Sequence, residues 1–297
     1  MQTRLKVKDK SPYRFVRYAR ASICLALIFA AIIGINALQV VSLLILPFSG
    51  KGFRMTSSIM VGCWGKAVIY AMENLAGIKF INTGADIPKK ENAFLICNHQ
   101  SWSDIIVVLP FINSKGRIGD IKYFVKDSIK FLPGPGWCIY FMDSIFLKRN
   151  WTRDSASIKQ TFQKFYDNKI PFYLLSYLEG TRIKKPKLLA SQAYAAKNSL
   201  PHLDHLLVPR TKGFIASMKG LRQVTDAVYD ITIGHPEGTP GIWDIACGYV
   251  NEIHLHYRRY PINDLPKSDD KLTTWVLERF REKDVILDSF IKNQVFS

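Results

Sequence analysis

Acidic residues are scarce in this chain. The 24 Asp and Glu stand against 41 Lys and Arg, a formal net charge of +17. Such a surface attracts anions: nucleic acid, anionic membrane lipid or phosphorylated small molecules. Cysteine is equally uninformative as a framework. Cys24, Cys63, Cys97, Cys138 and Cys247 are odd in number, widely spaced and mostly set among apolar residues, and no C-x-x-C occurs. That pattern excludes a disulfide scaffold and reads as reduced, buried small hydrophobes on a protein whose bulk faces the cytosol. The glycine patterns of kinases and phosphate-binding loops are missing, as are repeats, low-complexity tracts and long linkers. With 297 residues, 48% of them hydrophobic, the chain suits one sizeable core rather than several large domains.

Charge is missing altogether from residues 21–50, "ASICLALIFAAIIGINALQVVSLLILPFSG". A bilayer crossing needs roughly 20 such residues. The preceding 20 residues carry seven basic side chains and one acid. A cleaved signal peptide has a shorter apolar core and a small-residue cleavage site, so a retained anchor is the expectation. Residues 58–72, "SIMVGCWGKAVIYAM", are apolar but interrupted by Lys66. They form either a second membrane helix or one lying along the surface. The organisation expected is a basic tail (1–20), an anchoring helical region (21–76) and a third unit (77–297).

From residue 77 the pattern changes. Short runs rich in β-branched and aromatic residues predict strands at 78–83, 93–98, 122–126, 144–149, 171–178, 227–234 and 252–257, with another run leading into Pro209. Helix-like stretches lie at 103–112, 153–168, 189–199, 212–220 and 268–293, the last opening on Ser268 as a capping residue. Strands alternating with helices imply an α/β layered domain with a largely parallel or mixed sheet.

"NHQSWSD" (98–104) places His99 and Asp104 five residues apart. In a regular helix that spacing turns the two about 140° apart. They meet if His99 sits in a loop and a helix starts just after it, with Ser101 and Asp104 as an S-x-x-D capping box. A carboxylate there fixes the imidazole tautomer and stabilises the imidazolium. A polar loop without chemistry is the competing reading of this stretch alone. "YLEGTRIKKPK" (177–187) follows an apolar run; Gly180 permits a tight turn, and the turn with Thr181 and Arg182 suits an anion. "SIFLKRNW" (144–151) ends a strand in Lys148 and Arg149, and Arg suits bidentate phosphate binding. "LLVPRTKGF" (206–214) carries Pro209, Arg210 and Lys212.

These four blocks, in this order, resemble the glycerolipid acyltransferase family, with NHxxxxD, a strand ending in Arg, FPEGTR and a VP-containing segment. "IFLKRNWTRD", "HLLVPRTKGF", "AVYDITIGHPEGTP" and "HYRRYPINDLP" bring it nearest to the eukaryotic lysocardiolipin and lysophosphatidylinositol acyltransferases. The resemblance covers about residues 20–290. It departs from the family at Leu178, where proline is usual, and at Ile183, where serine is usual. Further hydrophobic segments that some relatives carry after this point do not occur in these 297 residues.

The resemblance implies transfer of a fatty acyl group from acyl-CoA, as co-substrate, to the free hydroxyl of a lysophospholipid. His99 is then the base and Asp104 its orienter. Arg149 and Arg182, with Lys148, hold phosphate, while Glu179, Gly180, Thr181 and Pro209 shape the acceptor site. No metal and no cofactor is implied. The endoplasmic reticulum membrane is the expected location, with the tail and catalytic unit both cytosolic; a mitochondrial membrane is the alternative. A non-catalytic protein binding anionic lipid through the same cleft is the second reading. Nucleic acid is not expected, since no aromatic–basic stacking stripe is present. "HPEGTP" (235–240) reads as a loop, "HLDH" (202–205) as surface, and His254 with His256 as a packed or solvated strand face.

Overall fold

The computed structural model describes residues 4–7, 11–148 and 151–296, with the backbone alone for 151–153. Seven strands form one mixed sheet: β1 (Lys79–Gly84), β2 (Ala93–Cys97), β3 (Ile121–Lys126), β4 (Ile145–Leu147), β5 (Tyr173–Ser176), β6 (Ala227–Gly234) and β7 (Glu252–Pro261). Their order is β1-β7-β6-β2-β5-β3-β4. β7 runs antiparallel to β6 and parallel to β1, and the other neighbours pair in parallel. Five strands therefore finish at one edge. There lie the segments that follow β2 and β5 and Lys148 just after β4, and with them the described candidate residues.

β2, "AFLIC", is apolar on both faces because helices cover both faces of a central parallel strand. Phe94 and Ile96 face one core, with Phe162 of α6 (Trp151–Asp167), Phe214 of α8 (Thr211–Leu221) and Phe280 of α10 (Asp269–Asn293). Leu95 and Cys97 face the other. That core includes Val68 of α2 (Gly50–Tyr70), Val107 of α3 (Asp104–Val107) and Phe111 of α4 (Leu109–Ser114).

The buried stripe of α10 runs Leu272, Val276, Phe280, Leu287 and Phe290, and Lys283 occupies the gap in it. Its buried ammonium lies 2.5 Å from Asp230 Oδ1 and donates to Ile231 O at 2.9 Å. The other Asp230 oxygen pairs with Arg258, its register partner on β7, at 2.5 Å. Removing one member of such a buried pair typically costs about 3–5 kcal/mol.

α1 (Arg14–Ser42) belongs to a 32-residue segment, Arg14–Ile45, that alone among the described residues is long and apolar enough to cross a membrane. Only 17% of its most apolar window is buried, unlike a core helix. α2 begins well before the expected 58 and returns along α1: Gln39 Nε2 donates to Ser57 Oγ at 2.8 Å and Trp64 Nε1 to Ile28 O at 3.1 Å. The other side of α2 fits against the sheet domain so closely that a Cβ on Gly65 would come within 2.8 Å of Ile118 Cγ1. At the far end of α1, Leu5 N donates to Thr239 O at 2.9 Å. The described part of the tail therefore touches the sheet domain, and the hairpin turn at 43–48 presents exposed Leu44, Leu46 and Phe48.

At "GPGW" (134–137) Gly134 takes a positive φ of 83° and Pro135 opens α5 (Pro135–Phe141). Some local expectations change. The run before Pro209 joins no ladder; its N–H groups go to side chains, Val208 N to Ser191 Oγ at 2.9 Å among them. Ser268 stands at the N-cap of α10, yet its side chain makes no capping hydrogen bond.

Candidate active site

His99 follows β2 in a loop that three anchors hold. The Asn98 side chain mimics a strand partner, donating to Ile233 O at 3.0 Å and accepting from Ile233 N at 2.8 Å. His99 N donates to Glu179 Oε1 at 2.8 Å, and His99 O accepts from Ile183 N at 2.9 Å. The loop thus locks onto β6 and onto the turn after β5.

Asp104, the first residue of α3, is fully buried. Its Oδ2 accepts from Gln100 N at 2.6 Å and Ser101 N at 2.8 Å and lies 2.9 Å from His99 Nδ1. A carboxylate can only accept, so Nδ1 carries a proton, and in the neutral imidazole Nε2 is the acceptor. Asp104 Oδ1 has no hydrogen-bond partner among the described residues. The capping box is half realised. The carboxylate reaches back to Ser101 N, but the Ser101 hydroxyl donates to Pro240 O at 2.6 Å, and the helix starts at Asp104 with Ser103 at its N-cap. Pro240 O also accepts from Ser103 Oγ at 2.8 Å, so the "HPEGTP" loop braces this turn.

The imidazole, 13% exposed, stacks on Tyr177 at 4.0 Å between centroids. This neighbour went unread in the sequence, although it directly precedes the "LEGTR" block. Burial pushes the Tyr177 hydroxyl well above its ordinary value and pushes the nearby His235 imidazole down to about 4.

Glu179 is buried, and its second oxygen accepts from Leu207 N at 3.1 Å. Burial pushes its carboxyl up to about 8, against the two backbone donors that favour the ionised form. Glu179 therefore staples the His99 loop to the segment before Pro209, which is itself buried. Gly180 has a φ of 67°, and a Cβ there would meet Arg210 Nε at 2.9 Å. Arg210, whose N–H donates to Leu178 O at 2.7 Å, thus crosses the turn. Thr181 accepts from Lys187 at the start of α7 (Lys185–Lys197).

The Arg182 guanidinium lies 4.5 Å over the Trp102 ring, and no carboxylate pairs with it among the described residues. Lys148 is exposed after β4, its N–H donating to Asp154 Oδ1 at 2.8 Å. Arg149 falls outside the described residues. Trp102 and Arg210 were not singled out as site residues, though both stand inside the quoted blocks. His202 is exposed and no metal-binding cluster occurs among the described residues. His254 packs edge-on against Phe290.

A carboxylate-braced imidazole at the open edge of a mixed α/β sheet, flanked by an unpaired arginine, has the layout of a group-transfer site with room for an anion. The chain belongs to the acyltransferase family: the family model described as "Acyltransferase" matches residues 79–239, and the one described as "Acyltransferase C-terminus" matches 245–297. It is 33% identical over 278 residues to 1-acyl-sn-glycerol-3-phosphate acyltransferase 2 of Arabidopsis thaliana, covering 91% of this chain and 71% of that protein. Against 1-acyl-sn-glycerol-3-phosphate acyltransferase delta of Homo sapiens it is 29% identical over 267 residues, covering 88% and 71%. The crystal structure of the 1-acyl-sn-glycerophosphate (LPA) acyltransferase PlsC from Thermotoga maritima shares the fold, with a TM-score of 0.57 at 18% identity over 93% of this chain and 98% of that one.

Proposed function

We propose that this protein transfers a fatty acyl group from acyl-CoA to the free hydroxyl of a lysophospholipid, with lysophosphatidic acid as the first acceptor to test. The observation that carries the reading is the 2.9 Å contact between His99 Nδ1 and a buried Asp104 that also receives two backbone N–H groups. Held in this tautomer, Nε2 accepts the acceptor's hydroxyl proton as the oxygen attacks the thioester carbonyl. The carbon–sulfur bond then breaks, and the leaving thiolate takes the proton back from the imidazolium. Asp104 stabilises the cation in between. No covalent acyl-enzyme, metal or redox cofactor enters this scheme. Backbone N–H groups of the site stabilise the oxyanion.

Arg182, Lys148 and Arg149 hold the acceptor's phosphate, and Arg210 joins them. A guanidinium without a carboxylate partner is suited to that task. We place the enzyme at the endoplasmic reticulum membrane with its sheet domain in the cytosol, where acyl-CoA is found. A lipid-binding protein without catalysis needs no base–carboxylate pair, and the His99–Asp104 geometry speaks against that alternative. The test is purified protein in detergent with labelled acyl-CoA and a panel of lysophospholipids, read by thin-layer chromatography. Acylation of at least one phosphate-bearing lysolipid supports the assignment; none across the panel refutes it.

A further inference from the structure

A cavity of about 240 Å³ lies at the other edge of the sheet, where β3 and β5 begin. Since these strands run parallel to β2, the cavity and His99 sit at opposite strand ends. At about 3.3 Å per residue that is the full depth of the sheet. The acyl-transfer chemistry makes no use of this space.

Its lining is cationic in a specific way. Lys51 and Arg54 project from the first turns of α2, Lys122 from β3 and Lys169 from the turn before β5. Two acids share the wall, but each is committed elsewhere: Asp143 pairs with Lys164 at 2.5 Å and Asp120 with Arg117 at 3.1 Å. Arg54 gives one nitrogen to Asn168 Oδ1 at 3.2 Å. The four cations have no carboxylate within ion-pair distance among the described residues. Lys122 is the telling member, because only 6% of it is exposed. Burial lowers its pKa, with Asp143 and Asp120 opposing from a distance, and an anion in the cavity would hold its charge. A nearly buried lysine with no carboxylate within ion-pair distance among the described residues suits an anion that comes from outside.

The surroundings identify the source. Met55 and Ile59 of α2 are exposed beside the opening helix turns, and the hairpin turn with its outward Leu44, Leu46 and Phe48 (90% exposed) directly precedes Lys51. Apolar side chains next to clustered lysine and arginine are the arrangement of a bilayer interface, with tails on one side and phosphates on the other. We propose that this cavity binds the phosphate of an anionic phospholipid of the bilayer in which the hairpin turn sits, as a second lipid site separate from His99.

The experiment uses the full chain in detergent on an Arg182→Gln background, which weakens the headgroup contact at the catalytic edge. Calorimetric titration with short-chain diacyl phosphatidic acid is compared with inorganic phosphate and with short-chain phosphatidylcholine. The expectation is phosphatidic acid binding that weakens at least tenfold in Lys122→Met and in the double variant Lys51→Gln/Arg54→Gln. On the wild-type background, the same variants should leave the KM for lysophospholipid unchanged. Undiminished binding in the double variant overturns the proposal, and this surface change keeps the test alive if Lys122→Met melts early. Inorganic phosphate binding as tightly as the lipid overturns the bilayer as source. A raised KM for the acceptor overturns the separation of the two sites. None of the binding readouts depends on turnover, so a failure here is distinct from a failure of the acyl-transfer assignment.

Discussion

Replacing Asp104 by asparagine tests the geometry more sharply than deleting it. The carboxylate oxygen Oδ2 receives His99 Nδ1 at 2.9 Å, Gln100 N at 2.6 Å and Ser101 N at 2.8 Å. An amide can keep its oxygen there or turn its NH2 there. The second choice sets donor against two backbone donors in a buried site, at about 1–3 kcal/mol for each group left unpaired. The first choice costs nothing new in pairing, because the position of Oδ1 already lacks a hydrogen-bond partner among the described residues. The amide oxygen therefore stays on the backbone, and Nδ1 keeps its proton. What is lost is the charge assistance to the imidazolium, about 1.5–3 kcal/mol. Turnover should fall roughly ten- to a hundredfold, with the acceptor KM nearly unchanged. The assay is initial rate against acceptor concentration beside a melting curve. A fall near ten-thousandfold would mean that the tautomer flips and that the backbone donors do not hold the oxygen. A rate within twofold of wild type would remove Asp104 from the chemistry.

Arg182→Lys keeps the charge and loses the fork. The acceptor KM should rise roughly tenfold or more while the acyl-CoA KM and the melting temperature barely move, because no protein carboxylate depends on this arginine among the described residues. If both KM values and the melting temperature shift together, Arg182 is structural. Glu179 binds its proton more tightly folded, at about 8 against an ordinary 4.5, so the unfolded chain holds fewer protons between those values and stability from this group falls as pH rises through that window. The melting difference between Glu179→Gln and wild type should drift in favour of glutamine from about pH 5 to about pH 8; a flat difference would show that the carboxyl is ionised throughout. Protease protection of sealed vesicles should place the described tail and the His99 region on the same side, since Leu5 bonds Thr239; opposite sides would refute the hairpin.

Much of this architecture was readable because its signals are local. All seven strands fall close to their apolar runs, and α10 lies within its expected 268–293 stretch. Why Lys283 interrupts the buried stripe of α10 was not legible, because Asp230 lies far away in sequence and meets it only through the β6–α10 packing. The His99–Asp104 pair was legible from spacing alone once a loop-to-helix junction was assumed. Glu179 was expected to shape the acceptor site; that its two oxygens accept from His99 N and Leu207 N is something no sequence pattern records. The run before Pro209 looked like a strand because it is apolar. It lacks a ladder because Glu179 and Ser191 take its donors. The second helix was read too short, since Lys51 and Arg54 hid its first turns.

The central claim is that His99 acts as a base rather than as a lipid contact, and His99→Ala turnover measured beside lysophospholipid binding tests it most directly. Because the proton moves only on the way to the transition state, the variant should retain binding within a few-fold while its turnover falls to background. Turnover near wild type in His99→Ala, with binding intact, would contradict the account.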